Sequence, residues 1–521
     1  VHVRCHTIPE GVGSMLEIDA QGVLLTSRDL SRPLGFAAHA SITMRYAFAV
    51  DNADSQDARA RAQAALNLDN SFEQNAAAFD EWFERNVPVF RCTDHDLLKL
   101  YYYRAFVVYR GWHNPRRVIS SHPYVRPAFY ESPAGCWFGC VIGLPVPMQI
   151  QEAAWLRDPA FGQSHIENWS EAVVPQYRDY IQYTPQSIRT FLSHHPDDAL
   201  LRRIYDSVRD FALQNVSPKD PGTLPVQTGS WLSGAEYQPN FYQFTTPAWD
   251  WRNDVQMHRR SGFPISRLMR LDNAVFTIAN LSAAAQFAEK LGKSDDAQRL
   301  SGAAIAMLAR LKTKCWDPKT ALFYAAHPDN GALADLAPCY DSFAPFMWML
   351  VHEKKFMPAF EKFFDRAWFW DEFPLTTAAK LSPMYWSGNC LTGPTESSIQ
   401  KPHAYTCSWN GPAWHFSNSL MAEALGAAAA GEAGKHLRPK WIEFMSRWTQ
   451  MHFLYGERAA PCAFEHVRPA DGARFRCIVD YFHSAWLDPF LKYWAGIRID
   501  ERDKFLSFDP FTDQEFELHH V

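Results

Sequence analysis

Long apolar runs, an excess of one charge, and a cysteine pattern are all missing from this chain. No stretch reaches the roughly 18 to 20 apolar residues that a helix needs to cross a bilayer. The longest attempt, "GCVIGLPVPMQI", is broken by proline. A membrane span is therefore not expected, and the chain reads as a soluble protein. The 51 Lys and Arg are scattered among 57 Asp and Glu, for a net charge of −6 over 521 residues. There is no basic stripe to neutralise phosphates, which argues against a nucleic-acid partner. Ten cysteines lie at irregular distances, with Cys136 and Cys140 the one close pair. They form neither a disulfide framework nor a zinc pattern, so most read as small buried hydrophobes. HExxH, Walker, GxGxxG and GxSxG motifs are absent, and the twenty histidines do not cluster at ligand spacing. No metal or cofactor is expected, although a Ca2+ held by backbone oxygens would leave no trace. The opening stretch has no basic region followed by an apolar one and does not begin with Met, so it reads as a processed or truncated end. Cellular location and oligomeric state stay open.

Apolar and aromatic residues are plentiful, at 47% and 15% of the chain. That is enough for one large domain with an appendage. Residues 1–60 alternate apolar and polar positions, as in "HASITMRYAFAV", and predict a β-rich, β-sandwich-like segment. Residues 61–95 turn Ala-rich and charged at helical spacing, a linker helix. From 96 to 521 the pattern is mainly helical. The clearest helix is "RLMRLDNAVFTIANLSAAAQFAEKLGK", with Leu268, Leu271, Val275, Ile278 and Leu281 at steps of three and four and Gly292 as the stop. Further hairpins are expected at 198–216, 342–367, 412–456 and 480–497. Helix hairpins joined by long aromatic loops suit a mainly α fold, an (α/α)6 toroid whose loops gather at one end around a pocket. Superhelical helix stacking is the alternative.

Four loops mix Trp or Tyr with Gly, Pro and an isolated polar residue: "FYESPAGCWFG", "TGSWLSGAEYQPNFYQF", "YTCSWNGPAWHFSNS" and "PCAFEHVRPADGARFRCIVDYFHSAW". Flat aromatic faces cover sugar C–H surfaces, and amides, Arg and carboxylates satisfy hydroxyls. One such loop alone would read as a core aromatic cluster; four together point to carbohydrate. Breaking a glycosidic bond requires a protonated carboxylic acid and a second carboxylate. Glu236, ringed by Trp231, Tyr237 and Phe241, suits the acid, since desolvation would keep its proton near neutral pH. A carboxylate that caps a helix or pairs with Arg is the other reading. Glu465, after an extended segment and before a polar turn, suits the second role, against a surface ion-paired acid. Asp272, beside an apolar helix face, must be hydrogen-bonded and reads as the floor of the pocket. Glu131, Trp249, Asp250 and Trp386 complete the candidate sugar ligands, and Asp158 reads as a helix-end acid.

These residues resemble the clan of (α/α)6 glycoside hydrolases that includes families 63 and 37 and the related family 142-like bacterial exo-glycosidases. "SGAEYQPNF" stands where that clan has its general-acid loop, and "RLDNAVF" where a helix opens with an aspartate. "WNGPAW", with Trp409, Asn410 and Trp414, stands at its pocket-lining loop. "FEHVRPADG…DYFHSAWLD" follows the order of its base-bearing segment. The resemblance carries the acid onto Glu236, the base onto Glu465 and support onto Asp272, His483 and Asp488. Glu in place of the glucosidases' Asp, Asn240 in place of the usual Arg and Val467 in place of Tyr leave the sugar open. The expectation is an exo-acting, inverting glycosidase acting on a terminal sugar of an oligosaccharide or glycoconjugate, α-glucoside-like or arabinofuranoside-like. A phosphorylase, a polysaccharide lyase and a non-catalytic glycan-binding protein remain as alternatives.

Overall fold

The computed structural model of the chain describes residues 15–18, 23–26, 71–113, 126–132, 139–173, 177–227, 233–235, 238–244, 267–383, 385, 409–454, 457–473, 479–500 and 505–520. The chain divides into two units, one of Val1–Asn86 with Pro115–Tyr124 and one of Val87–Asn114 with Val125–Val521. The described part of the smaller unit is an antiparallel hairpin, Met15–Ile18 with Val23–Thr26, and helix α1, Ser71–Asn86.

The larger unit carries α2 (His95–Gly111), α3 (Val146–Ala154), α4 (Ala160–Ser170), α5 (Thr184–His194), α6 (Asp198–Leu213), α7 (Leu271–Lys290) and α8 (Ser294–Lys314). A 3-10 segment, Tyr340–Met349, follows, then α9 (Ala359–Phe363), α10 (His415–Ala430), α11 (Arg438–Gln450) and α12 (Leu487–Pro489), which runs on as a π-helical turn, Phe490–Trp494. Local signals set several starts. Asp94 and Asp197 each accept two backbone N–H groups as caps of α2 and α6, which satisfies donors that a helix start leaves orphaned.

Burial sorts the helices into two kinds. Every residue of α3, nearly every residue of α10 and most of α7 are buried. On α6, α8 and α11 only one stripe is buried. A helix apolar all round must be surrounded by protein, and one with a stripe lies at the surface. The two kinds alternate along the chain. The inner set, α3, α5, α7, the 3-10 segment, α10 and α12, makes contact in that order, and α12 returns to α3. The closure is polar: Trp155 Nε1 and Gln151 Nε2 donate to Asp488 at 3.0 and 3.3 Å, and the Asp488 N–H donates to Glu152 at 3.1 Å. The outer set is α2, α4, α6, α8, α9 and α11.

Three expectations change. The helix drawn from Arg267 starts at Leu271; Leu268–Met269 pair as a strand with Val226–Gln227. The helical pair expected over 342–367 is the 3-10 segment and the short α9, with Pro345 and Pro358 interrupting the α ladder. The helix expected from Asp480 begins at Leu487. Short strand pairs, which the sequence pattern did not show, tie the loops entering the inner helices. They are Trp112–His113 with Ala128–Phe129, and Ala413–Trp414 with His466–Val467, with further bridges Cys339 to Ala378 and Thr376 to Ala413.

Candidate active site

Each of these loops leads into the first residues of an inner helix, so their side chains share one end of the ring. Glu465 is 2% exposed. It follows the strand Glu457–Pro461 and precedes His466–Val467, which fits the extended segment read from the sequence. A surface ion-paired acid is ruled out by that burial. Its neighbour His466 lies directly opposite Trp414 in an antiparallel pair, and the imidazole and indole stack at 4.2 Å and 16°. Trp409 covers the other face of Trp414 at 4.0 Å and 15°. Both faces of Trp414 are therefore occupied by protein. The sequence suggested a flat platform for sugar at this residue; the structure makes it the middle plate of a stack that fixes the backbone at Glu465.

The "WNGPAW" turn is held from below. The Thr377 hydroxyl accepts from the Gly411 N–H at 3.0 Å and donates to the Pro412 carbonyl at 3.0 Å. Asn410 is buried within it. His483 is buried against Tyr481 at 4.1 Å between ring centres and 6.3 Å from the Trp414 ring. Burial pushes its imidazole down to about 3, so it is neutral at physiological pH. Glu131, also buried, joins the same wall through its carbonyl, which accepts from Phe482 at 2.7 Å.

A second buried group stands beside the first. Arg270 donates to Asp272 at 2.7 Å and to the Gln238 side-chain oxygen at 2.7 Å, and Gln238 Nε2 donates to Asp341 at 2.8 Å. The guanidinium lies 4.5 Å from the Phe241 ring. Asp272, at the start of α7, also accepts from the Asn273 N–H at 2.7 Å. One cation thus serves two carboxylates. Burial first, and the Asp272 charge second, push Asp341 up to about 7; burial also raises Asp272 against the lowering effect of Arg270. The two groups meet where Tyr340 packs on Trp409 at 5.9 Å and its N–H donates to the Thr377 carbonyl at 3.0 Å.

The structure therefore brings Glu131, Asp272, Trp409, Asn410, Trp414, Glu465 and His483 to one end of the ring. Trp231, Glu236, Tyr237, Trp249, Asp250 and Trp386 lie outside the described residues. Gln238, two positions after Glu236, is described, and its amide is pinned between Arg270 and Asp341. The sequence reading missed Asp341, Arg270 and Gln238. One signal was present: Asp341 sits in "APCYDSFAPF", and an acid in so apolar a run has to be hydrogen-bonded or neutral. Asp158, read as a helix-end acid, accepts from the Ala160 N–H at 2.9 Å at the start of α4.

A closed inner ring with an outer ring around it, and carboxylates among stacked indoles where the inner helices begin, defines an (α/α)6 toroid of the glycoside hydrolase class. Residues 144–484 match the model of the mannosylglycerate hydrolase MGH1-like glycoside hydrolase domain. The chain belongs to that family. Among solved structures it is similar to a sialidase, with TM-score 0.66 and 16% identity over 84% of this chain. It spans 37% of the length of that sialidase chain. It is also similar to the GH63 mannosylglycerate hydrolase from Thermus thermophilus in complex with glucose, with TM-score 0.51 and 12% identity over 75% of this chain and 98% of that one. At these identities the likeness is one of fold. No curated protein matches the sequence. Among the described residues no helix is long and apolar enough to cross a membrane.

Proposed function

We propose that the protein is an exo-acting, inverting glycosidase with Glu236 as general acid and Glu465 as general base. The observation that carries the proposal is the seat of Glu465, a carboxylate buried at the mouth of the inner ring and held by the Trp409–Trp414–His466 stack. In a single displacement the Glu236 carboxylic acid gives its proton to the glycosidic oxygen as the bond to the anomeric carbon breaks. Glu465 takes a proton from the water whose oxygen bonds to that carbon from the opposite face. Glu236 leaves the step ionised and Glu465 protonated, and exchange with solvent resets both.

The Arg270–Gln238–Asp341 group supports the acid role, because it anchors the side chain of the residue two positions after Glu236. Asp272, Glu131, Asn410 and His483 are assigned to the walls that receive sugar hydroxyls, with Trp231, Tyr237, Trp249, Asp250 and Trp386 supplied by the sequence. The catalytic domain is taken as residues 96–521, behind a β-rich segment of 1–60 and a linker helix within 61–95.

The substrate class we put forward is a terminal neutral sugar in an α-glucoside-like or arabinofuranoside-like linkage. A mannosylglycerate-type glycoside joins the panel because of the name of the Thermus neighbour. The test is incubation with aryl glycosides and oligosaccharides of these types, with NMR of the first-formed anomer. Release of sugar with inverted configuration is expected. A product of retained configuration would replace the single displacement by a covalent one, and a sugar phosphate formed only with added phosphate would make the protein a phosphorylase.

A further inference from the structure

The inner ring has a second end. A cavity of about 750 Å3 is walled by Trp155 just past α3, the length of α5, the last turns of α7, Trp348 and Met349, the second half of α10, and α12 with the turn that follows it. None of Glu131, Asp272, Asn410, Glu465 and His483 lines it. Its size falls within the roughly 300 to 1,000 Å3 typical of small-molecule sites.

We propose that this axial cavity is a second binding site, and that its ligand is a neutral saccharide. The chemistry of the wall argues for the class. Aromatic surface comes from Trp155, Trp348, Phe287 and Tyr493. Donors and acceptors without formal charge come from Gln186, Thr190, Ser193 and Gln286. Apolar faces beside side-chain amides and hydroxyls match the two kinds of surface on a sugar ring.

The charges argue against an anion. Lys492 is bonded to both oxygens of Glu423, at 2.9 and 2.8 Å. Lys290 pairs with Asp198 at 2.9 Å and Arg498 with Asp509 at 2.8 Å. Asp488 is held by Trp155 and Gln151. Arg189 and Glu289 add one charge of each sign, and burial pushes His194 down to about 4, leaving it neutral. Apart from Asp488, whose two donors here are neutral, these charges cancel in pairs, so an anion would face no free countercharge. Carbonyls at the C-terminal ends of the inner helices further disfavour an anion. The backbone at the mouth is also unusual. Trp348 and Met349 hold consecutive positive φ angles of 52° and 60°, a conformation that is strained for non-glycine residues and gathers at ligand sites.

The proposal does not depend on the roles given to Glu236 and Glu465. The experiment is saturation-transfer NMR and calorimetry with glucose, mannose, arabinose, maltose and trehalose on the Glu465→Gln protein, in which hydrolysis does not interfere. At least one of these sugars is expected to bind. Trp348→Ala and Gln286→Leu, each added to Glu465→Gln, should weaken that binding tenfold or more, while each alone should leave wild-type hydrolysis within about twofold. Trp348 packs on Tyr183 at 5.0 Å, so Gln286→Leu guards against loss of folding. Ala427→Trp, which fills the cavity, should abolish the same binding. No sugar binding, or binding unchanged in Gln286→Leu and Ala427→Trp, overturns the site. Tighter binding of inorganic phosphate or tetramethylammonium at the same residues overturns the ligand class.

Discussion

Asp341 and Asp272 share a single guanidinium in a buried site, and that arrangement has a consequence for pH. Free Asp has its pKa near 3.9, while Asp341 is held up at about 7, first by burial and then by the Asp272 charge. Between these two values the folded chain keeps a proton that the unfolded chain has lost. Stability therefore falls as pH rises from about 4 to about 7, by up to about 1.4 kcal/mol per pH unit for one such group, and levels off above. Glu152, buried beside Arg104 and also raised to about 7, contributes in the same direction. Asp341→Asn keeps an oxygen to accept from Gln238 but cannot ionise. Its urea midpoint should fall less steeply than that of the wild type from pH 4.5 to 7, with the variant gaining relative to the wild type as pH rises. Equal slopes would show that Asp341 is already ionised at low pH.

The elements depend on close approach as much as on propensity. Gly426 lies in the second half of α10, where a Cβ would come within 2.4 Å of the Tyr493 ring and 2.9 Å of Trp441 Nε1. Ala is the better helix former by about 1 kcal/mol, but overpacking in a dense core costs about 1–3 kcal/mol. Gly426→Ala should therefore lower thermal stability by a net loss of up to about 2 kcal/mol, readable by calorimetry; a higher melting temperature would mean that α10 and α12 separate easily. The long helix α7 was legible in the sequence because its three- and four-residue spacing is local. The 3-10 segment was not, since an apolar run such as "SFAPFMWML" fits any buried element and only Pro345 marks the difference. The strand pairs were not legible either. Two-residue strands such as Ala413–Trp414 exist because Val467 and His466 arrive from more than fifty positions away, and no local pattern records that.

On the scale of the whole molecule, alternation of helices buried all round with helices buried on one stripe encodes the double ring. Its closure rests on side chains far apart in sequence, Glu152 and Asp488 among them. The burial of Glu465 was legible in part, because Phe464 and the prolines Pro461 and Pro469 flank a lone acid there. Pocket residues were hidden where a role depends on a partner elsewhere, as for Arg270 and Asp341, or on which face of a ring stays open, as for Trp414. The stack of Trp409, Trp414 and His466 has one purpose in this account, to hold Glu465 where it can activate water. The most direct measurement is kcat for Glu465→Gln on the glycoside that the wild type cleaves fastest, with circular dichroism to verify the fold. The account predicts a fall on the order of 10²- to 10⁴-fold in kcat, with KM changed only a few-fold. A folded Glu465→Gln protein that turns over at the wild-type rate would contradict it.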